Sequence, residues 1–230
     1  MINIIASGSK GNAVIYHNEL LVDIGVAYTH LEPYLADIRY ILLTHEHKDH
    51  INITSLKRAL KEYQDIEVIC ANHMLEKVKS LEYVIPINNN EWLMLDGYQI
   101  ASIDLKHDVE NIGYRIYKEL PDFELNKGIH ATDMYSLDGV IAEDCDWYAI
   151  ELNHCEELIQ QAIKTKENAG VFAYERYSQN NHHSNQRGFA WLDQNNVDGL
   201  VIPLHISGNV GNVRQIKKEI DKRGWKSWLG

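Results

Sequence analysis

A chain of 230 residues with 45% hydrophobic content can bury one large core, so a single domain over residues 1–230, with room for two similar halves, is expected. A formal net charge of −11 opposes tight nonspecific duplex binding, which needs Lys and Arg to neutralise phosphates, although bound divalent ions would add positive charge that this count omits. Cys70, Cys145 and Cys155 stand at unrelated spacings, which argues against a disulfide scaffold and suits a reducing cytoplasm; no apolar run is long enough to span a membrane, and the start MINIIASGSKGN lacks the features of a signal peptide.

Short apolar runs set off by Ser, Gly, Asn and Asp predict strands at Ile2–Ala6, Ala13–Tyr16, Leu20–Ile24 and Tyr40–Leu43. Helical spacing follows over Ser55–Tyr63, with Thr54 as its N-cap. Further strands are predicted at Ile66–Cys70, Tyr98–Leu105, Ile112–Tyr117 and Trp147–Leu152, and helices over Glu156–Thr165, Gln186–Leu192 and Val213–Lys222. Asn88-Asn89-Asn90 and the polar stretch Ser178–Asn185 read as loops, and the basic stretch Arg214–Lys226 as a solvated helix face. Hairpin-like strand pairs followed by alternating strand and helix predict an α/β chain with two mixed sheets and outer helices.

The stretch Thr44-His45-Glu46-His47-Lys48-Asp49-His50 follows the strand at Tyr40–Leu43. In extended backbone His45 and His47 point to one side, while Asp49 and His50 come as the chain turns and can face a second point. Imidazole nitrogen and carboxylate oxygen suit zinc, manganese or iron. A His-Glu-x-x-His zinc protease motif fails, because Asp49 stands where the second His would fall. A zinc finger fails for want of a nearby Cys pair.

This His-x-His-x-Asp-His resembles the signature of the metallo-β-lactamase-fold hydrolases. That resemblance implies an αββα sandwich. Leu21-Val22-Asp23-Ile24-Gly25 is similar to the family's strand-end Asp and Gly, and gives Asp23 a role in supporting the metal loop. His107 ends an apolar run ahead of Gly113-Tyr114-Arg115, Asp133 lies in Ala131-Thr132-Asp133, and His205 ends Val201–Leu204, each matching a later ligand of the family. The implied site has His45, His47 and His107 on one metal, Asp49, His50 and His205 on the other, and Asp133 bridging. It would hold two divalent ions, Zn2+ or Mn2+ with Fe as a further option, and a hydroxide between them. His17, His30, His73 and His130 match no motif.

Ala6-Ser7-Gly8-Ser9-Lys10-Gly11-Asn12, Ile150-Glu151-Leu152-Asn153-His154, His182-His183-Ser184-Asn185 and His205-Ile206-Ser207 resemble segments of the YycJ-like (WalJ-like) branch. The middle two also resemble ribonuclease Z, where a Glu orients a His that protonates the leaving oxygen. By that resemblance Glu151 orients His182, with His183 as the competing choice; Asp49, Glu151 and His182 are the implied catalytic residues. Expelling an alkoxide from phosphorus requires such a proton. Two departures stand out: Cys155 replaces the branch's usual Asp and reads as structural, and Lys10 adds a cation that either meets a phosphate or faces solvent.

The implied activity is a nuclease or other phosphodiesterase, DNA exonuclease-like, in the cytoplasm, acting on nucleic acid with DNA favoured over RNA. The fold also hosts carbon-ester chemistry, so a lactonase or thioesterase is the alternative. A metal-binding module without turnover is the third.

Overall fold

The apolar runs of the N-terminal part become one mixed sheet. The computed structural model describes residues 1–89, 91–122 and 124–229, and the chain divides into two compact units, Met1–Glu91 and Trp92–Gly230. Asn90, within the expected Asn-rich loop, lies outside the described residues.

In the first unit β1 (Ile2–Ala6), β2 (Ala13–Tyr16) and β3 (Leu20–Val22) form an antiparallel meander. β4 (Tyr40–Leu43), β5 (Glu67–Ala71) and β6 (Ile85–Ile87) continue the sheet in parallel, in the order β1-β2-β3-β4-β5-β6. β4 is apolar and buried at every position, as expected of a strand with parallel neighbours on both sides. The short α1 (Tyr28–Leu31), α2 (Ile53–Glu62) and α3 (Leu75–Val78) complete the unit. α2 turns Leu56 and Ala59 into a core shared with Leu21, Ile41, Leu43 and Val68. Its N-cap is Asn52, whose side chain accepts from Ser55 N; the expected cap, Thr54, lies inside the helix. β3 also stops earlier than expected, at Val22, because Asp23 turns to a left-handed φ of 60°.

The second unit repeats the plan. β7 (Trp92–Leu95), β8 (Tyr98–Lys106), β9 (Glu110–Glu119) and β10 (Leu125–Ala131) are antiparallel. β11 (Trp147–Glu151), β12 (Leu200–Leu204) and the short β13 (Lys226–Ser227) add in parallel. The connections carry α4 (Glu156–Asn168), α5 (Glu175–Asn181), α6 (Asn185–Gln194) and α7 (Val213–Arg223). α6 and α7 bury Phe189, Leu192, Ile216 and Ile220 against Ile129, Tyr148, Ile150 and Val201. α5 runs through Asn181 and so replaces the first half of the loop expected over 178–185; α6 begins at its last residue, Asn185.

The strand directions place the chemistry. β10, β11 and β12 run in parallel side by side, so Asp133, Glu151 and His205 come from neighbouring strand ends on one edge. β8 and β10 flank β9 and run the same way, which brings His107 to that edge too. In the first unit β3 and β4 are parallel neighbours, so Asp23 and the His45–His50 loop leave adjacent strand ends. Carboxyl ends of parallel strands are where sheets of this class build their sites. No helix of the described residues is long and apolar enough to cross a membrane.

Candidate metal centre

In the first unit the loop after β4 is held by a buried carboxylate. Asp23, 1% exposed, accepts from Thr44 N at 2.9 Å, from Thr44 Oγ1, and from His50 Nδ1 at 2.6 Å. A carboxylate only accepts, so His50 carries its proton on Nδ1. Its Nε2 faces Asn12 Nδ2 at 2.8 Å and Asp49 Oδ2 at 3.9 Å. Binding a metal through that nitrogen therefore requires Asn12 to give up the contact. Asn12 also ties its loop to the cluster: its backbone N–H donates to Asp49 O at 2.7 Å, and its Oδ1 accepts from Gly8 N. This is the structural use of the Gly8–Asn12 motif, which sequence reasoning quoted without a role for Asn12.

His45 Nε2 and His47 Nδ1 stand 3.1 Å apart. Two nitrogens on one tetrahedral zinc at about 2.0 Å are separated by about 3.3 Å, so this pair fits a shared ion. Gly25 allows the loop to close: a Cβ there would lie 1.7 Å from Asp49 O and 2.7 Å from His50 N. Gly25→Ala must push the loop off its seat. It is expected to cost about 1–3 kcal/mol of stability and to weaken metal binding; calorimetric metal titration of the variant checks this, and wild-type affinity would contradict it.

In the second unit Glu151 is the hub. It is fully buried, and Oε1 accepts from His182 Nδ1 at 2.7 Å and His205 Nδ1 at 3.1 Å. Oε2 accepts from Met134 N at 3.0 Å and His183 N at 3.2 Å. Burial would raise the Glu151 pKa, but the charge and hydrogen bond of His182 and the bond from His205 outweigh it and hold the carboxyl ionised. Burial likewise opposes charge on His182, yet Glu151 and then Asp133 lift its pKa to about 9. With Nδ1–H committed to Glu151, Nε2 is the nitrogen left to hand on a proton. His183 meets Glu151 only through its backbone N–H, and burial pushes its imidazole pKa down.

Asp133 Oδ1 lies 3.5 Å from both His205 Nε2 and His182 Nδ1. Asp133, Glu151, His182 and His205 each offer one ligand atom within 4.8 Å of the others. The Nδ1–H of His205 on Glu151 leaves its Nε2 toward Asp133, the orientation second-sphere carboxylates impose on ligating histidines. His107 donates Nδ1–H to Asn181 O at 3.1 Å, and its Nε2 lies 3.0 Å from Asp108 Oδ1. Burial lowers the His107 pKa, against the charges of Asp133 and Asp108, which favours the neutral imidazole that metals bind.

Asp133 and His205 have left-handed φ values of 54° and 50°. Such backbone costs of order 1–3 kcal/mol per residue and persists where surroundings fix it. Two buried asparagines do so. Asn111 Nδ2 donates to Thr132 O at 3.0 Å and Asp133 O at 2.6 Å, and Asn153 Nδ2 donates to His205 O at 2.8 Å. Sequence reasoning missed Asn111, because its role is a contact to backbone carbonyls across the sheet.

The adjacent His154, 2% exposed, has its pKa pushed down to about 4, first by burial. Its folded value lies below the unfolded value of about 6.5, so the unfolded chain takes up the proton first as pH falls. Its neutral, buried state is undisturbed above that unfolded value, and about 2 kcal/mol is lost by pH ~5. Thermal melts across this range should show the loss shrinking in His154→Gln; an identical loss in the variant would refute it.

A family model described as a β-lactamase superfamily domain matches residues 21–206. The exodeoxyribonuclease WalJ of Streptococcus pneumoniae is 27% identical over 69% of this chain, and the chain spans 64% of the length of these curated relatives. Among solved structures, the metallo-β-lactamase fold protein YhfI of Bacillus subtilis aligns with a TM-score of 0.75 at 17% identity, over 98% of this chain and 93% of that one. The short form of human tRNase Z aligns at 0.61 with 14% identity, over 90% and 92%. These likenesses carry the fold: two mixed sheets with helices.

Proposed function

Since this chain belongs to the β-lactamase superfamily, we propose that it is a metal-dependent phosphodiesterase acting on nucleic acid. The ligands in this reading are His45, His47 and His107 for one ion and Asp49, His50 and His205 for the other, with Asp133 shared. Residues 1–230 act as one functional domain. The donor set of imidazoles and carboxylates without thiolate accepts Zn2+, Mn2+ or iron. Two such ions supply Lewis-acid charge at phosphorus and lower the pKa of an attacking water.

The chain's own residues do the rest. Asp23 and Glu151 orient His50 and His205 through their Nδ1 protons. Glu151 also holds His182, and the charged state of His182 keeps a proton ready at Nε2 for the departing oxygen. The observation that carries the reading is this Glu151–His182 bond of 2.7 Å, with Asp133 3.5 Å from the same imidazole. Carbon-ester hydrolysis has less need of a proton donor there. The identity with exodeoxyribonuclease WalJ supports DNA over RNA and exonucleolytic cleavage. Three free, buried cysteines among the described residues support a cytoplasmic setting.

The deciding assay strips the protein of metal, restores Zn2+ or Mn2+, and offers labelled DNA, RNA, bis(p-nitrophenyl) phosphate, a lactone and a thioester. Metal-dependent cleavage of the phosphodiesters is expected, with DNA preferred over RNA. Turnover of only the lactone or thioester would replace the proposal with the ester reading.

A further inference from the structure

The segment joining α4 to α5 exposes rings that no core covers. Phe172 is 82% exposed and Tyr174 59%, with Val171 beside them at 55%. Tyr177 follows on α5, its ring 5.5 Å from that of Tyr174 and tilted by 31°. Exposed apolar side chains gathered on one segment are a candidate binding surface.

The cluster is fastened to the second unit's site residues. The Tyr177 hydroxyl donates to Asp108 Oδ2, and Asp108 Oδ1 lies 3.0 Å from His107 Nε2. The same helix gives its last carbonyl, Asn181 O, to His107 Nδ1, and the next residue is His182. One short helix thus carries an aromatic ring at its start and positions two proposed site residues at its end.

Charge narrows the ligand. Two of the flanking cations are engaged: Lys166 pairs with Glu175 at 2.6 Å, and Arg176 pairs with Glu167. The surface presents mainly ring faces, and the whole chain carries −11. That suits bases better than phosphates. Unpaired bases present such faces, whereas bases in a duplex are already stacked, and base–aromatic stacking tolerates any sequence.

We infer that Phe172, Tyr174 and Tyr177 form a stacking ledge for the unpaired bases of a single-stranded nucleic acid whose end enters the site. The inference rests on the phosphodiesterase reading, whose substrate class it narrows.

The test measures binding of labelled oligothymidylate by fluorescence anisotropy to the full chain, with chelator present to prevent cleavage. Phe172→Ser and Tyr174→Ser should each weaken binding about tenfold, and the double variant more. An oligomer of abasic spacers should bind the wild type as weakly as oligothymidylate binds the double variant. With metal restored, the preference for oligothymidylate over bis(p-nitrophenyl) phosphate should fall by the same factor. If either serine variant fails to fold, Phe172→Leu and Tyr174→Leu keep apolar bulk without the ring. Equal binding by wild type and double variant, or abasic binding as tight as oligothymidylate, would overturn the ledge. So would a wild-type dimer that the double variant loses without any change in oligomer binding, since a second copy would then cover the rings. A wild type that binds through the rings but cleaves no phosphodiester would sink the hydrolytic reading and leave the ledge standing.

Discussion

Replacing His182 by alanine should lower kcat on an oligonucleotide by about 10²–10⁴-fold, the usual contribution of a positioned proton donor. Loss on bis(p-nitrophenyl) phosphate should be far smaller, because its leaving group departs without a proton. Glu151 is fully buried and accepts a hydrogen bond from His182 Nδ1 at 2.7 Å, so the ring is fixed and only Nε2 remains to act. His183→Ala is the matched control. Its ring does not reach Glu151, which it meets through the backbone N–H that alanine retains. Steady-state kinetics on the two substrates decide the matter. Equal losses on both in His182→Ala would show that His182 holds the site together rather than protonating a leaving group.

Asp23→Ala should be the most damaging change in the first unit. Its carboxylate, 1% exposed, receives Thr44 N, Thr44 Oγ1 and His50 Nδ1. Removing it strands buried donors, at about 1–3 kcal/mol for each one left without a partner. A total near 3 kcal/mol is expected in chemical denaturation. Metal affinity should fall by about 10–100-fold, the usual effect of losing the carboxylate behind a ligating imidazole. Asp23→Asn separates the two effects. Its amide oxygen can still accept from Thr44 N, but the pair of oxygens that served both Thr44 and His50 is gone. Stability should recover in part while metal affinity stays low. Wild-type affinity in both variants would remove Asp23 from the account of the site.

Much of this was legible locally. β4 is read from four consecutive apolar residues, and the His45–His50 loop from ligand types at short spacing just after it. Strand-end placement of His107 and His205 is likewise readable, because each follows an apolar run, whereas Asp133 follows the mixed strand Leu125–Ala131 and is found only through its Ala131-Thr132-Asp133 motif. What was not legible depends on distance or on near-equal local choices. Asn52 and Thr54 are both good caps, and only the fold selects Asn52. β7, four apolar residues ahead of the Asp96-Gly97 turn, was readable on the same grounds and was missed; its side chains are exposed or half-buried rather than core. β6 and β13, of three and two residues, are too short for any periodicity. The polar run from Ser178 hid the end of α5, which is held through Asn181 O to His107. Asn111 and Tyr177 act through contacts 22 and 69 residues away in sequence, which spacing cannot reveal.

Seven His and Asp side chains are proposed to hold a pair of divalent ions. The number of ions bound per chain decides this. Chelator-stripped protein is loaded with Zn2+ or Mn2+, desalted and measured by elemental analysis, for the wild type and for His47→Ala and His205→Ala. Two ions per wild-type chain and one in each variant are expected, with the melting temperature rising on loading. A wild-type chain that retains no metal, or variants that retain as much as the wild type, would contradict it.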